Sequence, residues 1–298
     1  LHLSLRRQRQ MCIRDRSHVD SCSMPKRLKS WISSTSAREH PNCAEDLMKL
    51  LFRGSCPKDP FGSDINEDRW AFDEFKGALA LCDGASESFD SSVWAQILAD
   101  KFVFDPAVTP EWVSNGLTDY ISRHTYATMS WSQQASYERG SFSTLLGLQH
   151  IPDNKTVEVL AVGDTLAVLI DGDKVVSSWP YSDPDHFKNR PTLFATLPDH
   201  NAFVSESMFW SKHGQHFELS KLTSPRLICV TDALGEWLLR QYQTNGDGLS
   251  RLLMLTTEEE LVALVIDERS AGRMRVDDST LIVVAFDITE ESDGIPFL

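Results

Sequence analysis

No apolar run in the 298-residue sequence approaches the roughly 18 to 20 residues needed to cross a bilayer. The longest such stretches, residues 281–286 among them, are strand-sized, so a soluble chain with no membrane partner is expected. Basic charge is also in short supply. Lys and Arg number 29 against 43 Asp and Glu, a formal net charge of −14. A surface of that sign repels phosphate backbones, which argues against nucleic acid as a partner, while leaving carboxylates in number for metal binding. Cysteine is sparse, at positions 12, 22, 43, 56, 82 and 229, without a CxxC pair. That excludes a zinc cage or a disulfide scaffold. Cys82 and Cys229 sit inside apolar runs as small core residues, and the expected setting is reducing and cytoplasmic. No cysteine is followed six residues later by arginine, so the phosphate loop of a cysteine phosphatase is missing. Internal repeats and low-complexity tracts are missing too.

Residues 1–23 differ in composition from the rest. Arginines 6, 7, 9, 14 and 16 against Asp15 and Asp20 give a net +3, leaving −17 for the remainder. The segment has no apolar core of the signal-peptide kind. Its string RRQRQMCIRDR resembles translated sequencing-adapter read-through, with Met24 as the expected start; a basic interaction arm is the alternative. It is expected to pack against nothing. Residues 24–58 read as an N-terminal extension carrying a short helix at 44–52, residues 59–290 as the main domain, and 291–298 as a tail.

Within that domain, short runs rich in Val, Leu, Ile and Phe and bounded by Gly, Asp and Asn predict strands at 69–75, 77–82, 142–151, 157–162, 166–170, 174–178, 227–230 and 280–286. Helices are expected at 92–104, where Val93, Ile97, Leu98 and Phe102 recur at helical spacing behind a serine cap. One or two more should cover 110–137, opened by Pro110, followed by 235–242, 249–255 and 257–269. Helices gathered into blocks, rather than alternating one for one with strands, favour antiparallel sheets covered by helices.

Acidic residues recur where these strands begin or end. They are Glu67-Asp68 in GSDINEDRW, Asp83-Gly84 in ALALCDGASES, Gly163-Asp164 closing VEVLAVGD, Asp232 in LICVTDAL, and Asp277-Asp278 in VDDSTLIVV. Carboxylates are the oxygen ligands that Mg²⁺ and Mn²⁺ prefer. Any one of these pairs is most simply a turn or a solvated strand end. Their order is more specific: NED, a strand into DG, GSFSTLLG, a strand into GD, a strand into TD, then DDST before a strand.

That succession, over residues 59–290, resembles the metal-dependent protein phosphatases of the 2C type, as a divergent member of the bacterial kind. The resemblance implies an α+β fold in which two packed antiparallel sheets are flanked by helices, with two divalent cations, Mn²⁺ or Mg²⁺, at one end. It implies that Asp83 bridges both ions, that Gly84 offers its carbonyl to one, and that Asp232 and Asp277 complete the first ion's ligands. Glu67 and Asp68 match residues that hold metal-bound water; Asp164 and Asp278 match accessory positions. Asp83 and Asp68 would be the catalytic residues, Asp83, Asp232 and Asp277 would share one coordination sphere, and the substrate would be a phosphoserine or phosphothreonine protein, with a cognate kinase as a further partner. Two departures stand out. The arginine that grips substrate phosphate in such enzymes is Ser63 here, and no histidine follows Asp83-Gly84, where Ala85 stands. Arg69, Arg139 and Arg190 are the candidate substitutes, each more simply a surface arginine.

Two other readings follow from the residues. The lost arginine position suits a catalytically degenerate phosphatase-like module that binds and regulates. The run Asp171-Gly172-Asp173-Lys174-Val175 matches the DxDxV of haloacid-dehalogenase-type phosphatases, but Asp-Gly between two apolar runs is also a preferred hairpin turn.

Overall fold

The computed structural model describes residues 48–62 and 66–286. Residues 1–23 and 291–298, and the Ser63 position, lie outside the described residues. In chain order the elements are β1 (Lys49–Cys56), β2 (Arg69–Asp73), β3 (Ala78–Cys82), α1 (Ser91–Phe104), α2 (Pro110–Ser122), α3 (Trp131–Arg139), β4 (Phe142–Ser143), β5 (Leu145–Ile151), β6 (Thr156–Val162) and β7 (Leu166–Asp171). They continue with β8 (Lys174–Trp179), β9 (Phe194–Ala195), α4 (Phe209–His213), β10 (Gly214–Glu218), β11 (Pro225–Val230), α5 (Asp232–Gln243), α6 (Gly248–Leu253), α7 (Glu258–Ser270) and β12 (Ser279–Ala285).

Two five-stranded sheets carry the architecture, ordered β1-β12-β11-β7-β8 and β10-β6-β5-β3-β2, with β4 and β9 as a two-stranded annex. Every pairing between these strands is antiparallel. The period-2 alternation of a strand then assigns each residue to a layer. On β12, Ile282 and Val284 face the opposite sheet with Leu79, Leu81, Leu146 and Val159, while Leu281 and Val283 face outward to Leu234, Trp237, Leu261 and Val265 of α5 and α7. On β3, Ala80 and Cys82 turn away from the sandwich toward Trp94, Ile97, Leu98 and Phe102 of α1. Strands buried on both faces read as continuous apolar runs, which is why these segments were legible as strands. The result is an αββα sandwich, the fold that the sequence resemblance implied.

Several elements differ from the sequence expectations. The helix expected at 44–52 is, over its described part, strand β1, whose residues pair along β12 from Lys49↔Ala285 to Cys56↔Ser279. It lies on the sheet edge and is only partly buried, so its sequence carries no clean alternation. Helix α1 starts behind Asp90 in left-handed conformation rather than behind a serine side-chain cap. The 110–137 segment divides into α2 and α3, the latter opened by a Ser130/Gln133 capping box. Cys82 and Cys229 are core residues as expected, and Cys56, Cys82 and Cys229 are free thiols. No helix among the described residues is long and apolar enough to cross a membrane.

Under α5 to α7 lies a buried carboxylate that sequence reading passed over. Glu268 is fully buried, and its oxygens accept from Trp237 Nε1 (2.9 Å), Arg251 Nη1 (2.6 Å), and Arg273 Nε (2.7 Å) and Nη2 (2.8 Å). The Arg273 hydrogen bonds, helped by Arg251 and Trp237 and opposed by burial, lower its carboxyl from 4.5 to about 2. A carboxyl with a depressed folded-state pKa contributes stability above its unfolded value, and that stability is lost as pH falls through the folded value. Chemical denaturation should therefore show wild-type stability falling between about pH 4.5 and 2. Glu268→Gln should cost about 2–4 kcal/mol at neutral pH and flatten that part of the profile.

Candidate metal centre

Register alone brings the acidic residues to one end of the sandwich. In an antiparallel ladder the start of one strand lies beside the end of its neighbour. Arg69 at the start of β2 pairs with Cys82 at the end of β3, and Leu281 near the start of β12 pairs with Val230 at the end of β11. Val162, the last residue of β6, pairs with Leu145 at the start of β5. Asp68, Asp83, Asp164, Asp232 and Asp278 each lie within two residues of one of these six strand ends, on both sheets.

Hydroxyls and backbone groups lock that end together. Asp68, 6% exposed, reaches across from β2, and its Oδ2 accepts from Thr280 Oγ1 of β12 (2.6 Å) and from Thr231 Oγ1 (3.1 Å). Thr231 in turn accepts from the Thr280 backbone N–H (2.9 Å). Beside it, the Asp83 backbone N–H donates to Thr144 Oγ1 (2.8 Å), and Thr144 and Thr165 share a hydroxyl–hydroxyl bond (2.7 Å), tying Asp83 to the turn that carries Asp164. Glycine is required at two points of this junction. A Cβ on Gly84 would stand 3.0 Å from the Glu67 carbonyl and from the Ser91 backbone. Gly163 has φ +115°, and a Cβ there would stand 2.5 Å from Thr144.

The carboxylates at this end repel one another. Burial and then the charges of Asp68, Asp164, Asp277 and Asp278 hold the Asp83 carboxyl well above its ordinary range. Asp68 is pushed up to about 7 by burial, with Asp278 and Asp277 adding to the shift and the Thr280 and Thr231 hydroxyls opposing it. Asp164, buried, is raised by desolvation and by Asp277, and lowered by Arg275. Asp232 forms an ion pair with Arg275. Three buried oxygens here accept no hydrogen bond: Asp68 Oδ1, Asp232 Oδ1 and Glu67 Oε2. Lys58 Nζ stands 3.5 Å from that Glu67 oxygen, and Ser91 donates to the other (3.1 Å). An all-oxygen, electron-rich set with unmatched buried acceptors fits a hard divalent cation.

The arrangement differs from the sequence expectation in detail. Among the described residues no three Asp, Glu, His or Cys side chains converge closely enough to hold one ion, so Asp83, Asp232 and Asp277 share an end of the fold without sharing a ligand shell. Asp232 is drawn to a guanidinium instead. Asp278 is a backbone tie: its Oδ1 accepts from the Lys58 N–H (2.7 Å) and its Oδ2 from the Glu67 N–H (2.6 Å). Arg269, which sequence reading did not single out, completes the tie by donating to the carbonyls of Pro57 (2.9 Å) and Asp277. Arg69 donates to the carbonyls of Asn66 and Asp68, both at 2.7 Å, and Arg139 to Ala135 and Ser136 within its own helix, so both guanidinium groups are bound to the chain beside them. Asp171 and Asp173 occupy the β7–β8 turn, with Gly172 at φ +63°, and Asp171 accepts from the Thr223 and Ser224 backbones. A cavity of about 610 Å³ between α1 and α2, bordered by Asp100, Phe104, Trp112 and Asp119, shares no residue with the cluster.

No protein-family model matches the chain, and no curated protein does. Solved structures similar to it include the photosystem II phosphatase PBCP, at 13% identity and a TM-score of 0.49, over 81% of this chain and 100% of that one. A bacterial serine phosphatase matches at 16% identity and 0.48, over 82% and 99%. The serine/threonine phosphatase PstP/Ppp of Mycobacterium tuberculosis matches at 14% and 0.45, over 80% and 100%. The chain resembles the 2C-type phosphatases. At these identities and scores the likenesses assign it no activity.

Burial first, and then the neighbouring acids, disfavour a charged Asp83, so removing that charge should relieve both. In chelator, Asp83→Asn should stabilise the protein by about 1–3 kcal/mol. Millimolar Mn²⁺ should raise the melting temperature of wild type and leave that of Asp83→Asn within error. Differential scanning calorimetry with and without Mn²⁺ measures both.

Proposed function

We propose that the chain is a serine/threonine phosphoprotein phosphatase dependent on two divalent cations, Mn²⁺ or Mg²⁺. One observation carries this reading: carboxylates from both sheets, far apart in sequence, lie at one end of the sandwich, desolvated and with buried oxygens unmatched. Burying like charges is costly unless opposite charge is supplied. The succession of motifs that resembles the 2C-type phosphatases covers the same residues.

In this reading Asp83, the Gly84 carbonyl, Asp232 and Asp277 would hold the cations, Glu67 and Asp68 would hold metal-bound water, and Asp164 and Asp278 would take accessory positions. Bound cations of this kind supply an activated water and offset phosphoryl charge. The protein's part is positional. Thr231 and Thr280 fix one Asp68 oxygen and leave the other open, Thr144 fixes the Asp83 backbone, and Asp278 holds the loop that presents Glu67. Cysteine and serine nucleophiles are not required.

The second reading, a binding module without turnover, is favoured by the Asp232–Arg275 pair and by the lack of a three-ligand convergence. Phosphate release from a phosphoserine peptide separates the two. Mn²⁺- or Mg²⁺-dependent turnover, abolished by chelator and reduced at least about a hundredfold in Asp83→Ala, is expected. Wild-type protein inert at millimolar Mn²⁺ would reject the enzyme, and activity that persists in Asp83→Ala would reject the cation-dependent mechanism assigned to it.

A further inference from the structure

We propose that the groove between α1 and α2 is a docking site for an arginine-rich segment of a partner protein. The proposal does not depend on the phosphatase reading. The groove shares no residue with the carboxylate cluster, and it lies at the other end of α1: Ser91, which donates to Glu67, and Asp100 stand about 14 Å apart along the helix.

The groove, of about 610 Å³, combines aromatic walls with an acidic rim. Phe104, the last residue of α1, is 80% exposed, and the buried Trp112 lines the groove from α2, fixed by its Nε1 donating to the Asp105 carbonyl (2.9 Å). Asp100, Asp105, Glu111 and Asp119 line it as well, all exposed, and among the described residues none of the four forms an ion pair. Against them stands Lys101, so four carboxylates and one ammonium leave a net −3. The C-terminal end of α1 adds the negative pole of the helix dipole.

Two cations of the chain itself display what these surfaces accept. Lys76 Nζ stands 4.9 Å from the centre of the Phe104 ring and donates to the carbonyls of Val103 (3.4 Å) and Phe104 (3.3 Å). Lys101 Nζ stands 5.4 Å from the centre of the Trp112 ring. Its stem lies along α2 at Gly116, where a Cβ would stand 3.4 Å from Lys101 Cδ. Both rings thus carry an ammonium in cation–π geometry, and the carboxylates around them remain to be answered.

The spread of those carboxylates decides the occupant. Glu111 and Asp119 are about 12 Å apart along α2, the reach of three to four residues of extended peptide. No three acids among the described residues converge as ligands of one ion, and a second copy of this chain, at −14, is repelled. Several cations strung along a peptide match the spacing. Arginine suits the groove better than lysine, because its guanidinium stacks flat on an aromatic face while its edge meets a carboxylate bidentately.

Fluorescence anisotropy tests this with full-length protein, in chelator and at low ionic strength, titrated into a labelled peptide alternating arginine and serine. Lysine–serine and glutamate–serine peptides are the comparison. The arginine peptide should bind, the lysine peptide about two- to fivefold more weakly, and the glutamate peptide not at all. Phe104→Ala, which removes no charge, should weaken arginine-peptide binding about two- to fivefold. Glu111→Gln combined with Asp119→Asn should weaken it about three- to tenfold. Glu218→Gln combined with Glu259→Gln removes the same charge from exposed positions elsewhere and should change it less than about twofold. Equal losses in the two double variants, with Phe104→Ala at wild-type affinity, would overturn the proposal by reducing it to the general attraction of an acidic surface. Wild type that leaves the arginine peptide unbound would also overturn it. So would self-association in sedimentation that Phe104→Ala abolishes, which gives the groove to a second copy. If the groove double variant melts early, having lost an acid from the first turn of α2, Phe104→Ala carries the test, since its side chain is no part of the core.

Discussion

Carboxylates brought together out of water raise each other's energy, and the end of this sandwich where β2, β3, β6, β11 and β12 begin or finish collects several of them. Their charge is not cancelled internally. Arg275 answers Asp232, Lys58 answers Glu67, and hydroxyls answer one side of Asp68, while Asp83 faces four other acids. The surrounding structure has to hold this arrangement against its own repulsion. It does so with groups that cost no charge: the Thr231–Thr280 and Thr144–Thr165 pairs, and a Gly84 position that admits no side chain. Stability spent at a site is recovered elsewhere, here in three apolar layers and in the Glu268 network beneath α5 to α7.

The contrast between Glu268 and Asp83 shows how environment divides chemically similar carboxyls. Glu268 is surrounded by donors on two arginines and a tryptophan and is held ionised; Asp83 is surrounded by acids and is pushed toward its neutral form. The first is a structural ion network. The second has the electrostatics of a site that awaits positive charge.

Much of this was legible in the sequence, for identifiable reasons. Strands such as β12 and β11, apolar on both faces, stand out as continuous runs, and an acid at the end of such a run can be placed before any coordinates exist. Edge strands are different. Phe217 is the one buried apolar residue of β10, and β1 is half-covered, so neither carries the pattern that marks a strand. Glu268 reads in sequence as one more acid on a charged helix; only the approach of Arg251 and Arg273 gives it a role. Arg275 was invisible for the same reason, since the pairing with Asp232 crosses the fold between residues far apart in the chain. Asp278 was recognised as part of the site, but its two bonds to backbone N–H groups, which make it a tie, depend on where the loop at 57–67 returns.

The central claim is that this end of the sandwich holds divalent cations. A crystal structure of the protein grown with Mn²⁺, with data collected at the manganese absorption edge, addresses it directly. The account predicts anomalous density within coordination distance of Asp83. Anomalous density confined to other parts of the surface at saturating Mn²⁺ would contradict it.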